Sequence, residues 1–409
     1  MNSIMNPDLN PDMHHDLILQ GGRVIDPSQN IDRVTDVRFI GGKVAAIGDQ
    51  LAAGVGTEVR DVKGKIVTPG LIDLHTHVYW GGTSIGVDAV ELARKSATAT
   101  FVDAGTAGAG NFPGFRKHVI EPALPVRILP LLNVSYAGIF AFSHTVMVGE
   151  CEDLRLLDLK ECVRVARANA DLIVGIKVRV GRSASGSSGI APMDMALEVA
   201  EACGLPLMAH LDHPPPSRTD VMGRLRKGDI LTHCFRPFPN APSFPNGGVR
   251  PEVMAARERG VIFDIGHGGG SCGFETSRAM LAAGFQPDVI SSDVHILSIN
   301  GPAFDLLHTL GKFHALGMTL PEVVACATVN AAHAIRRPDI GTLKPGAVGE
   351  ASIFEVVQEA TDYRDVLGEV IHSDTAFKAC GLVLNGRWWS PGLPATKTPN
   401  QPPHQQANP

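Results

Sequence analysis

The run Val67-Thr-Pro-Gly-Leu-Ile-Asp-Leu-His-Thr-His77 ends in two histidines two residues apart. Side chains alternate faces along a strand, so His75 and His77 project from one face, about 7 Å apart. Two neutral imidazoles on one rigid edge form half of a transition-metal site. Related groups close other apolar runs: His210 in Leu207-Met-Ala-His, His233 in Ile230-Leu-Thr-His and Asp293 in Val289-Ile-Ser-Ser-Asp. Lys177 sits inside Ile173-Val-Gly-Ile-Lys-Val. Each has a structural alternative, since a strand-end histidine can satisfy a core hydrogen bond and a lysine can snorkel to solvent. An unpaired ammonium in a core is strongly disfavoured, however. Imidazole with carboxylate is a donor set for zinc, manganese or iron. Together these residues read as a metal centre.

Such a centre requires elements that bring distant segments to one place. From about residue 69 to 341, strand candidates at 71–78, 100–104, 127–134, 172–178, 206–211, 230–235, 261–265 and 289–293 alternate with helical segments. Helices are expected at 87–97, 159–169, 192–203 and 276–283. In the third of these, Pro192 suits a first turn, Met195, Val199 and Cys203 share a face, and Gly204 is a stop. Eight strand–helix units over roughly 270 residues predict a (β/α)₈ TIM barrel, whose strands deliver their C-terminal ends to one mouth. The alternative is a doubly wound open sheet.

Residues 17–68 read as short strands, with Gly21-Gly22 and Gly41-Gly42 as hairpin signals. That segment is too short to bury two faces alone. Lys344-Pro-Gly leading into Ala-Ser-Ile-Phe-Glu355, and Leu382-Val-Leu-Asn-Gly-Arg-Trp-Trp389, offer partner strands. The expected organisation is a flexible start (1–16), a small β-sandwich domain built from both chain ends (17–68 and 343–390), the barrel (69–342) and a Pro/Gln/Asn-rich disordered tail (391–409).

The 409 residues carry a formal charge of −6, which gives no basic footprint for nucleic acid and no polybasic membrane patch. No secretory leader and no long apolar run is evident. The seven cysteines form no CxxC pair, and free thiols in a reducing cytoplasm are expected. Cys234 and Cys272 lie near strand ends, where a buried thiol is the simpler reading than a ligand or nucleophile. The partner expected is a small-molecule substrate, with a symmetric homo-oligomer as the common assembly.

The chain resembles the amidohydrolase superfamily, in particular its binuclear branch of dihydroorotases, hydantoinases and related deacetylases. The resemblance rests on Pro69-Gly-Leu-Ile-Asp-Leu-His-Thr-His77, the order of the strand-end residues, Ser292-Asp293 and the split β domain, and it spans nearly the whole chain. It implies two divalent metal ions, zinc being the first expectation. His75, His77 and Asp293 would hold one ion and His210 and His233 the other. Lys177, carrying a CO₂-derived carbamate, would bridge them. A desolvated lysine is neutral near pH 7 and so able to react with CO₂. Asp293 would also shuttle a proton between the attacking water and the leaving group. Asp73, deeper in the first strand, is expected to support the ligands from behind.

The implied activity is hydrolysis of an ester or amide bond in a small, carboxylate-bearing molecule. Cyclic-amide opening is the enzymatic alternative. Mononuclear deamination is disfavoured because Leu-Asp-His213 follows His210 with no glutamate. A silent assembly subunit is disfavoured by the intact ligand set. Arg179 is a candidate for a substrate carboxylate, Tyr136 for an oxyanion, and His267, in Ile265-Gly-His-Gly-Gly-Gly-Ser271, for substrate contact on a loop that permits close approach. His144, His213 and His295 are further mouth candidates without an assigned role.

Overall fold

The computed structural model describes residues 15–389. The expected terminal segments therefore lie outside the described residues, apart from positions 15 and 16. Asp16 already opens the first strand and pairs with Arg38 through two hydrogen bonds of 2.9 and 2.5 Å.

The N-terminal strands are β1 (Asp16–Asp26), β2 (Ile31–Ile40), β3 (Lys43–Gly48), β4 (Glu58–Asp61) and β5 (Ile66–Pro69). Gly41-Gly42, with φ of 57° and 78°, makes the expected tight turn between β2 and β3. Gly21-Gly22 does not turn the chain. The register against β2 shifts between Leu19 and Gly22, and Gly21 at φ +74° donates its N–H to Asp36 Oδ1 at 2.9 Å. The pair is a bulge within one strand, because a side-chain acceptor takes the amide that a hairpin would have used.

Seven parallel strands follow: β6 (Leu71–Thr76), β7 (Thr98–Gly108), β8 (Arg127–Asn133), β9 (Gly175–Val180), β10 (Leu207–Leu211), β11 (Ile230–Leu231) and β12 (Ile262–Phe263). They pair in sequence order, as right-handed β–helix–β units require. Almost every residue in them is buried, which explains their near-continuous apolar runs. Segment 289–294 makes one parallel bridge to each edge of this sheet, Asp264 with Val289 and Thr76 with Val294. One segment thus spans the gap between the outer strands, as a barrel requires and an open doubly wound sheet does not.

Expected strand 289–293 supplies only those bridges. The Ser291 and Ser292 hydroxyls bond to Asp264 and Asp73, and Asp293 turns the chain with φ +47°. The sixth candidate strand stops at Leu231 for a similar reason, His233 having φ +63°. Helices cover the outside. Ala191–Cys203 ends at Gly204 in the left-handed region, and Ala89–Ser96 begins under an Asp88 cap.

The last strands are β13 (Ala351–Arg364), β14 (Val370–Leu384) and β15 (Arg387–Trp389). β13 pairs antiparallel with β5, Ile353 opposite Val67, so strands from both ends of the chain share one mixed sheet. The path β15-β14-β13-β5-β1-β2-β3, with β4 beside β1, is a single hydrogen-bonded sheet. β5 bonds to β1 on one side and β13 on the other, so the strands of the expected β domain are continuous in one mixed sheet. Its core joins Leu17, Leu19, Val37 and Phe39 to Ile353 and Val383. All seven cysteines are free, Cys234 and Cys272 being fully buried. Among the described residues, no helix is long and apolar enough to cross a membrane.

Candidate metal centre

The barrel's C-terminal strand ends bring all six candidate ligands into one buried cluster. His75 and His77 leave β6 on the same face, and their Nε2 atoms lie 3.3 and 3.2 Å from Asp293 Oδ1. Asp293 is docked there by its own N–H, which donates to the His75 carbonyl at 2.7 Å. One ligand atom each from His75, His233 and Asp293 lies within 4.8 Å of the others. Lys177 Nζ on β9 is 3.4 Å from His75 Nε2 and 3.3 Å from Met208 Sδ, and among the described residues no carboxylate lies within ion-pair distance of it. His210 Nδ1 is 2.6 Å from His233 Nε2, and its own Nε2 is buried without a partner. Gly105, at φ +82°, leaves the room Lys177 needs, since a Cβ there would stand 2.6 Å from the lysine Cβ. His233 and Asp293 hold left-handed backbone conformations, uncommon for any residue but glycine though better tolerated by His and Asp than by most, and such conformations collect at functional sites.

Hydrogen-bond directions assign the tautomers. Asp264 is buried, accepting from Thr232 Oγ1 at 2.7 Å and from Ser291 Oγ at 2.6 Å. Having given its hydrogen to Asp264, Thr232 Oγ1 accepts from His75 Nδ1–H at 2.8 Å. Thr106 Oγ1 serves His77 Nδ1 at 2.8 Å and bonds Asp103. The Gly266 carbonyl accepts from His233 Nδ1–H at 2.7 Å. Each of these three rings therefore turns an Nε2 lone pair toward the cluster. On His75 and His77 those lone pairs face a carboxylate oxygen with no hydrogen between them. The Lys177 ammonium, 3.4 Å from His75 Nε2, meets part of this charge, but His77 Nε2 and Asp293 Oδ1 still converge acceptor on acceptor at 3.2 Å, an arrangement that a bound metal would satisfy.

The electrostatics agree. Burial, then the neighbouring Lys177 charge, holds His75 and His77 neutral, and burial does the same for His210 and His233. Burial pushes Lys177 down to about 7 and Asp293 up to about 6. Asp73 accepts both the N–H and hydroxyl of Ser292, at 2.9 and 2.5 Å, and so braces the turn that presents Asp293.

From about pH 7 to 10.5 the folded protein binds fewer protons at Lys177 than the unfolded chain does. In the metal-free protein this group's contribution to stability therefore rises with pH across that window, by up to about 1.4 kcal/mol per unit. Denaturant unfolding of Lys177→Met should show a flatter rise than the parent. Identical slopes would mean that the ammonium is solvated.

A cavity of about 370 Å³ opens above the cluster, lined among others by His75, His77, Arg179, His210, Asp212, His213, His233, Arg236, Asp293 and His295. Ile85, Phe142, Met147 and Leu297 form an apolar side. Arg179 is buried, its Nε 3.4 Å from Glu150 Oε1 and its guanidinium 5.0 Å over the Phe142 ring. Its Nε makes no hydrogen bond, and the same holds for Arg236 Nε. Arg236 is tied through Nη2 to Ser271 Oγ at 2.8 Å, and burial pushes it down to about 10.

Two expected substrate contacts are placed elsewhere. Tyr136 does not line the cavity; its ring packs against Gly110 and is half exposed, because the chain turns outward after β8. His267 is fully buried behind the glycine-rich loop, with Nε2 2.8 Å from Lys312 Nζ. His144 is exposed and does not line the cavity, whereas His213 and His295 do. Sequence reasoning missed Thr106, Thr232 and Asp264 behind the histidines, and Glu150, Asp212 and Arg236 at the mouth. Thr232 adjoins His233, and Arg236 follows it by three residues, so the same strand-end reading extended by a few positions would have found both.

No family model matches the chain. It is 34% identical over 337 residues to a deacetylase of Agrobacterium fabrum, covering 82% of each chain. Among solved structures it is similar to one described as a dihydroorotase, with a TM-score of 0.83, 31% identity and coverage of 92% of this chain and 99% of that one. Another, described as an adenine deaminase, gives a TM-score of 0.85 at 26% identity, with coverage of 92% and 100%.

Proposed function

Because this chain belongs to the amidohydrolase superfamily, we propose that it is a metal-dependent hydrolase acting on an ester or amide bond of a small carboxylate-bearing molecule. The observation that carries the reading is the convergence of two outward-braced imidazoles on Asp293 beside a buried lysine that has no ion pair among the described residues. His75, His77 and Asp293 would hold one divalent ion and His210 and His233 a second. Lys177, as a carbamate, would lie between them, and zinc is the ion we propose. When bound, such ions supply Lewis-acid polarisation of a carbonyl and a hydroxide nucleophile near neutral pH.

The chain's own residues do the rest. Thr232 with Asp264, and Thr106 with Asp103, keep the His75 and His77 lone pairs aimed inward. Asp293, its pKa raised toward the working range by burial, accepts the proton of the attacking water and returns it to the leaving oxygen or nitrogen. Arg179, steadied by Glu150 and Phe142, keeps guanidinium N–H groups for a substrate carboxylate. The apolar side of the cavity accommodates the substrate's hydrocarbon part. We also place the protein in a reducing compartment, the cytoplasm, which its seven free thiols support. The shared mixed sheet is read as a small β domain clasping the barrel.

Arg179→Met should raise KM for carboxylate substrates at least about tenfold, while neutral analogues of the same ester or amide are little affected. An equal loss on both would remove the carboxylate role.

The deciding experiment is a hydrolysis screen of acylated α-hydroxy acids, N-acyl amino acids and cyclic ureides, with and without chelator. Chelator-sensitive cleavage of the first two groups is the expected result. Cleavage confined to cyclic ureides would favour the second reading, ring opening, which the likeness to the dihydroorotase structure supports. Ammonia release from aminopurines would overturn both.

A further inference from the structure

The glycine-rich loop 266–271 lies between the ligands and a buried polar network that the proposed chemistry does not use. Lys312, on the helix Leu306–Ala315, is fully buried. Its Nζ lies 2.8 Å from His267 Nε2, 2.6 Å from the Pro302 carbonyl and 2.8 Å from the Arg364 carbonyl. Three acceptors meet the three N–H bonds of one ammonium. Arg364 ends β13, so Lys312 joins the tip of the β13–β14 hairpin to the start of the loop. The next residue holds the loop's far end. Asp365 Oδ2 accepts from Phe274 N–H at 2.8 Å, which caps the helix Phe274–Ala282, whose own N-cap residue, Gly273, has no side chain to offer. Val366 N–H donates to the Cys272 carbonyl at 3.3 Å.

On its other side the loop touches the ligands. The Gly266 carbonyl accepts from His233 Nδ1–H. Gly268 lies so close to Asp293 that a Cβ there would press on the carboxylate, and its N–H donates to the Ser292 carbonyl at 2.9 Å. At Gly269 and Gly270 a Cβ would meet nothing within 4 Å, and the middle of the loop is tied to the barrel mouth by Arg236, whose Nη1 donates to the Gly270 carbonyl at 3.4 Å and Nη2 to Ser271 Oγ at 2.8 Å. The contacts at 266–268 and 272–274 fix its two ends.

We propose that Lys312 and the β13–β14 hairpin tip form a strut that fixes loop 266–274 and thereby orients His233 and Asp293, which makes Lys312 and Asp365 positioning residues. The inference rests on reading His233 and Asp293 as metal ligands.

The test compares Lys312→Met and Asp365→Ala with a control on the same hairpin, His372→Ala, which removes an exposed pair with Asp362. Hydrogen exchange over 266–274, the absorption spectrum of the cobalt-substituted enzyme and the separate kcat and KM values are recorded. Expected for both strut variants are exchange at least about tenfold faster in that segment, an altered cobalt spectrum in protein that still binds cobalt, and kcat reduced at least about tenfold with a smaller change in KM. His372→Ala should match the parent. Should Lys312→Met fail to fold, Asp365→Ala carries the decision by the same readouts. Parent-like exchange overturns the strut. Faster exchange with an unchanged cobalt spectrum and kcat overturns its coupling to the ligands while leaving the metal reading intact. If the parent binds no cobalt, the metal reading fails, and loop exchange with the His233 imidazole resonances decides the strut alone.

Discussion

Asp293→Asn is expected to give a folded protein whose kcat is lower by about 10²–10⁴-fold, the range a positioned acid–base group contributes. Asparagine suits the position: it has the same shape, tolerates the left-handed φ of +47° and still accepts through one oxygen. What it loses is the ability to take up a proton and return it. The parent's pH profile carries the same information. Burial sets the carboxyl at about 6 in the metal-free protein, and a neighbouring cation lowers it. Rate should therefore fall as acid protonates Asp293, with an apparent midpoint at or below about pH 6, and that limb should vanish in the variant. Rate profiles beside metal analysis check this. Undiminished hydrolysis by a metal-loaded Asp293→Asn enzyme would leave the proton-shuttle role without support.

Lys177→Met should move activity and stability in opposite directions. Lys177 is fully buried, with an imidazole and a thioether as its hydrogen-bonding neighbours. An ammonium there is costly, so a methionine of similar length should make the metal-free protein more stable near neutral pH. The same change removes the amine that would take up CO₂. Metal content should drop from close to two ions per chain, and turnover should fall on the order of 10³-fold or more. Reconstituting metal-free parent with metal should be faster when bicarbonate is supplied, and the variant should not respond. A variant that keeps two ions and full turnover would return Lys177 to a structural role.

The clustering of the candidate ligands was legible because each interrupts an apolar run, and a parallel barrel brings such interruptions to one place. Their separation in the chain, from His75 to Asp293, was no obstacle, since strand ends carry the geometry. Strand existence was legible for the same reason, while two strand ends were not. His233 and Asp293 adopt left-handed conformations that no local propensity announces, so β11 stops early and segment 289–294 makes only single bridges. Gly21-Gly22 read as a turn because nothing nearby in sequence reveals that Asp36 supplies its acceptor. The long arms of the β13–β14 hairpin were missed because many of their residues are exposed and polar, leaving apolar signal chiefly where β13 meets β5. The mouth was least legible. Tyr136 and His267 were chosen for what their side chains can do, and which way a loop side chain points depends on contacts such as Lys312 with His267, 45 residues away.

The pairing of β5 with both β1 and β13 bears on how the protein is made. Val67 leaves the ribosome long before its partner Ile353. At ordinary rates of translation that interval lasts tens of seconds. For that time the edge of β5 that will receive β13 stays open, only a few residues upstream of His75, while the barrel strands emerge behind it. An unpaired apolar edge is the surface most prone to wrong pairing. Nascent chains of this protein thus have a window of vulnerability that closes only with the last strands, and holding factors that shield strand edges would matter most then.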